Sequence, residues 1–104
     1  MTPEKRVQNA VIEYLDLMIK QGEKLIYFRR EAIGQAYKKG IPDIYGSLNG
    51  KHIEIECKRE AGGQLSVMQE KFRAKMESIG VKYCAPTSIE EFMKFIEEVK
   101  TCDR

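Results

Sequence analysis

The stretch Ile41-Pro42-Asp43-Ile44-Tyr45-Gly46-Ser47-Leu48-Asn49-Gly50-Lys51-His52-Ile53-Glu54-Ile55-Glu56-Cys57-Lys58 decides the fold of this 104-residue chain. Asn49-Gly50 is the strongest two-residue hairpin signal, because a tight type I′ turn needs positive φ at both of its central residues. Residues 41–48 read as one strand, with Pro42 near its entrance, where a missing donor is tolerated. Residues 51–58 read as its antiparallel partner. A period of two then puts Ile53, Ile55 and Cys57 on one face, and His52, Glu54, Glu56 and Lys58 on the other. With Asn49 and Gly50 as the turn, Glu56 stands directly opposite Asp43 on a shared face, Cβ atoms roughly 4.5–5.5 Å apart. Two carboxylates so placed repel unless a proton or cation lies between them. Lys58 follows on the same side, roughly 7 Å along the strand. Such a set suits a divalent metal and phosphodiester chemistry; the alternative is a solvated strand face with compensating charges.

Working outward, Val7, Val11, Tyr14, Leu15 and Met18 recur at spacings of three and four, which predicts an amphipathic helix from Thr2 to about Gln21. Thr2 serves as cap, Pro3 opens the first turn and Gly22 stops it. On this helix Glu4 projects from the middle of the apolar stripe, Gln8 from its shoulder, and Glu13 from the opposite side. Glu4 has two readings, a complement to the helix dipole or a metal ligand. Leu25 to Arg30 reads as a strand and Glu31 to Gly40 as a loop.

Beyond Lys58, the connection Glu60-Ala61-Gly62-Gly63-Gln64 leads to Ser66-Val67-Met68-Gln69, a capping box. The helix it opens turns Phe72, Met76 and Ile79 inward and ends at Gly80. Val81 to Ala85 is a short strand, and Ser88-Ile89-Glu90-Glu91 a second capping box. The last helix has an apolar face of Ile89, Phe92, Ile96 and Val99. The element order is α-β-β-β-α-β-α, an α/β fold.

The length and a composition of 42% hydrophobic and 33% charged residues read as a single soluble domain, residues 1–104. No apolar run is long enough for a membrane span and no signal core follows Met1, so the expected location is intracellular. Cys57, Cys84 and Cys102 are odd in number and never in a C-x-x-C spacing, which suggests neither a disulfide framework nor a zinc site. Cys57 packs as a small hydrophobe, and Cys102 falls in a frayed tail. The net charge of +2 does not by itself announce a nucleic-acid binder. Local charge says more: Arg29-Arg30, Lys38-Lys39 and Lys58-Arg59 gather around the carboxylates.

Glu4-x-x-x-Gln8, Gly40-Ile41-Pro42-Asp43, Asn49-Gly50, Ile53-Glu54-Ile55-Glu56-Cys57-Lys58 and Gly63-Gln64-Leu65-Ser66-x-x-Gln69 together resemble the PD-(D/E)XK nuclease superfamily, and within it the virus-type replication-repair nuclease (VRR-NUC) domains. The resemblance spans residues 4 to about 88. It implies a restriction-endonuclease-like core with a mixed sheet flanked by helices, and a Mg2+- or Mn2+-dependent DNA endonuclease. Asp43 and Glu56 would be metal ligands, joined by Glu4 and the backbone carbonyl of Cys57. Lys58 would orient the attacking water and stabilise the phosphorane charge. Gln69 would face water or phosphate, unless it only completes its capping box. Arg29, Arg30, Lys38, Lys39 and Arg59 are the candidate DNA contacts, Glu54 an outer charge, and His52 a base or an exposed strand-start residue. The resemblance further implies a homodimer acting on branched DNA such as Holliday junctions, without a membrane, and a viral or prophage origin. Two rivals are a catalytically silent nucleic-acid-binding or assembly module of the same fold, and a sequence-specific restriction-type nuclease.

Overall fold

A computed structural model describes residues 1–30 and 40–102. The elements follow the expected order: α1 (Pro3–Lys20), β1 (Leu25–Arg29), β2 (Ile44–Leu48), β3 (Lys51–Ile55), α2 (Val67–Ser78), β4 (Lys82–Cys84) and α3 (Ile89–Thr101). The expected loop from Glu31 lies outside the described residues up to Gly40. Thr2 caps α1 by accepting the Lys5 N–H, with Pro3 opening the first turn. The hairpin turn is built as its sequence demands, with φ of 53° at Asn49 and 81° at Gly50.

The four strands form one sheet in the order β1-β2-β3-β4. The first three make an antiparallel meander, and β4, reached through the α2 crossover, lies parallel to β3. β2 and β3 pair in the register set by the two-residue turn, Ile44 opposite Ile55 and Leu48 opposite Lys51. At Gly46 the strands β1 and β2 come so close that a Cβ would stand 2.1 Å from the carbonyl oxygen of Ile26. The strands are shorter than their patterns suggest: regular pairing of β2 starts at Ile44 rather than Ile41, and that of β3 ends at Ile55 rather than Lys58.

One face of the sheet carries the core. Ile44, Leu48, Ile53, Ile55, Cys57 and Cys84 meet Val7, Val11, Leu15 and Met18 of α1 and Phe92, Phe95, Ile96 and Val99 of α3. Lys51 ties the end of α3 to the hairpin by donating to the carbonyls of Val99 and Cys102, so Cys102 caps the helix rather than fraying.

The register sorts the other face into ranks across the sheet: Ile26, Ser47 and His52; then Phe28, Tyr45, Glu54 and Tyr83; then, past the regular pairing, Arg30, Asp43 and Glu56. Helix α2 packs chiefly on β4 at the sheet edge. It buries no residue fully: Phe72 and Met76 are half-buried, and Ile79, expected inward, is 70% exposed. A helix laid along an edge strand has little surface to cover its apolar side. The Ser66–Gln69 capping box is complete, whereas at Ser88 only half forms, because Glu91 turns its carboxylate to the N–H and hydroxyl of Thr87.

Glu54 is the largest departure from the expected outer charge, being fully buried. Its two oxygens accept both terminal nitrogens of Arg30 at 2.9 and 3.1 Å, and His52 lies 2.7 Å away. Arg30 also donates to the Pro42 carbonyl and stacks over Tyr45, 4.1 Å from the ring centroid. Such a bidentate pair fixes geometry as well as charge. Arg30→Ala strands a buried carboxylate and is expected to lower stability by about 3 kcal/mol in urea denaturation. Arg30→Met with Glu54→Leu removes both charges and should recover most of that loss; a double variant as unstable as the single one would show that the stranded carboxylate is not what destabilises Arg30→Ala.

Candidate metal centre

Glu4, Asp43 and Glu56 each offer one carboxylate oxygen, and these three atoms lie within 4.8 Å of one another. Each comes from a different element end. Glu4 stands in the first turn of α1, Asp43 immediately before β2 and Glu56 immediately after β3. The register that sets Ile44 against Ile55 carries on by one residue and turns Asp43 toward Glu56. Glu4 is exposed rather than buried in the apolar stripe, because the first turn of α1 overhangs a cleft at the end of the sheet.

Backbone hydrogen bonds hold these positions past the regular strands. The Arg30 N–H donates to the Asp43 carbonyl at 2.8 Å. The N–H of Glu56 donates to Cys84 at 2.9 Å and that of Lys58 to Pro86 at 3.0 Å. Because the backbone groups of successive strand residues alternate in direction, Cys57 between them turns its own toward the β2 side. Gln8, one turn after Glu4, is buried and donates its amide to Asp43 Oδ2 at 3.4 Å.

The cleft holds about 560 Å³, with Glu4, Lys5, Gln8, Asp43 and Arg59 among its walls. A second hollow of about 250 Å³ adjoins it, between Glu4, Lys58, Arg59 and the Gly62–Gln64 loop. Gly63 lets that loop close, since a Cβ there would stand 2.2 Å from the Arg59 carbonyl.

The electrostatics follow from crowding. Burial pushes the Glu56 carboxyl up from 4.5 to about 8, the charges of Asp43 and Glu4 add to the rise, and Lys58 opposes it. The Cys57 thiol is pushed up to about 12, first by burial and then by Glu56 and Asp43. Its sulfur belongs to the core and remains a neutral thiol.

Of the residues singled out in the sequence, Glu4, Asp43 and Glu56 converge, and Lys58 and Arg59 border them. Gln69 is engaged at its cap, its side-chain oxygen accepting the Ser66 N–H at 2.8 Å. Arg30 is committed to Glu54, Pro42 and Tyr45, and Arg29 ends β1 as an exposed residue. Lys38 and Lys39 lie outside the described residues. The sequence reading did not assign Gln8 a role, although its place four residues after Glu4 on one helical face is the pattern that brings both to one site.

No protein-family model matches the chain, and no curated protein matches it significantly. A solved structure described as a VRR_NUC domain superposes with a TM-score of 0.74, covering 93% of this chain and 97% of that one at 19% sequence identity. The chain therefore has the fold of that domain: a four-stranded mixed sheet with three helices, of the restriction-endonuclease-like type.

Proposed function

We propose that this chain is a metal-dependent endonuclease that hydrolyses DNA phosphodiester bonds, with Asp43, Glu56 and Glu4 holding the metal. The observation that carries this reading is the meeting of three carboxylate oxygens within 4.8 Å. The donor set fits the ion: hard carboxylate oxygens suit Mg2+ or Mn2+, and no sulfur or imidazole joins the cluster among the described residues. Beyond burial, the charges of Asp43 and Glu4 push Glu56 up, and a cation among the three would offset them. A divalent cation supplies Lewis-acid charge that makes water a better nucleophile and offsets charge building on phosphoryl oxygens.

The chain's own residues do the rest. Gln8 fixes the Asp43 carboxylate through its amide. The carbonyl of Cys57, turned to the β2 side, adds a further oxygen ligand. Lys58, whose charge acts on Glu56, orients the attacking water and counters charge on the phosphate. Arg59 borders both hollows and reaches the phosphate backbone. The substrate we favour is branched DNA, since a domain of this size has little surface of its own for reading bases. A two-fold dimer would present paired sites to strands of opposite polarity.

Labelled four-way junctions, flaps and linear duplex, incubated with Mg2+, Mn2+ or EDTA, test this reading. Cutting is expected only with metal and preferentially on branched substrates. Asp43→Ala and Lys58→Ala should each reduce it about 10²-fold or more; equal cutting by wild type and both variants would reject the site.

A second test needs no substrate. The metal-free fold holds a proton on Glu56 up to about pH 8, whereas an unfolded glutamate releases it near 4.5. The stability this proton contributes is therefore full below pH 4.5 and lost as the pH rises through about 8. Metal-free Tm should decline across that window, and Glu56→Gln should flatten the decline. Mn2+ should raise Tm more at pH 8 than at pH 5.5, where it competes with the proton. Superimposable metal-free profiles for wild type and Glu56→Gln would contradict the assignment.

A further inference from the structure

We infer that the Tyr83 hydroxyl is a positioning donor for Glu56, serving its carboxylate when that group holds a divalent cation. Tyr83 lies on β4 in register with Glu54, which puts its side chain on the same face as Glu54 and Glu56. The next residue, Cys84, accepts the Glu56 N–H, so the two backbones are directly bonded beside the site. Tyr83 is only 5% exposed, and its hydroxyl has no hydrogen-bond partner among the described residues. A buried phenol without a partner lowers stability relative to phenylalanine, and such an atom calls for a reason.

The surroundings supply one. Arg73 lies over the ring face, 5.1 Å from its centroid. Burial is the main influence raising the phenol's pKa, and Glu56 is the foremost charge adding to it. Glu56 also meets Asp43 and Glu4, which as carboxylates can only accept. Gln8 gives its amide to Asp43. Glu56 thus needs a donor where Tyr83 has one to give, directly or through one bridging water. Outer partners of this kind orient metal ligands.

The inference rests on the metal-site reading above, and its test separates the two. Tyr83→Phe is compared with wild type and Asp43→Ala in metal-free thermal unfolding and in calorimetric titration with Mn2+. The expected result is an unchanged or higher metal-free Tm together with about tenfold weaker Mn2+ binding. Wild-type affinity in Tyr83→Phe, or a fall in affinity that accompanies a clear fall in metal-free Tm, overturns the positioning role alone. Failure of wild type to bind Mn2+, or equal binding by Asp43→Ala, overturns the metal site and this inference with it.

Discussion

The mutual repulsion of Asp43 and Glu56 is the constraint around which this structure is organised. Nothing in either side chain favours their meeting; the sheet imposes it through a turn two residues long and the register that turn dictates. Each backbone is pinned beyond its strand, Asp43 by β1 and Glu56 by the chain after β3 bonding to Cys84. Free energy gained over the whole sheet thereby holds two carboxyl groups side by side, and an ion placed between them would be stabilised without the site having to assemble first.

The two faces of the sheet divide the labour. One is conventional core, closed by α1 and α3. The other is polar and ranked, with the carboxylates at one end, Arg30 neutralising Glu54 in the middle, and Ile26 and Phe28 about half exposed toward the β1 side. The Arg30–Glu54 pair does more than balance charge. Its bond to Pro42 fastens the residue before Asp43, so the buried pair and the candidate metal ligands share one scaffold.

Much of this was legible in the sequence because it is local. Asn49-Gly50 and strict alternation fixed the hairpin and, through it, the facing of Asp43 and Glu56. Thr2-Pro3 and Ser66 announced their helix starts for the same reason. What escaped depends on partners distant in the chain. Alternation marks Glu54 as facing away from the core, yet only the arrival of Arg30 from another strand makes its burial tolerable. The apolar spacing of α2 predicts an inward stripe, but spacing cannot reveal that the helix lies over an edge strand, which leaves Ile79 in water. At Ser88 the capping pattern was present, and Thr87, one residue earlier, took the glutamate instead.

The light seating of α2 has a consequence for motion. Free energies of local opening vary across a fold, and an element with no fully buried side chain detaches well before the core gives way. Helix α2 is joined to β4, whose last residue and the following turn clamp Glu56 and Lys58. A fluctuation that peels this corner away would slacken the segment that carries Glu56 and Lys58 while α1, α3 and the hairpin stayed folded. Amide exchange would therefore run faster along that flank than in α1, α3 and the hairpin.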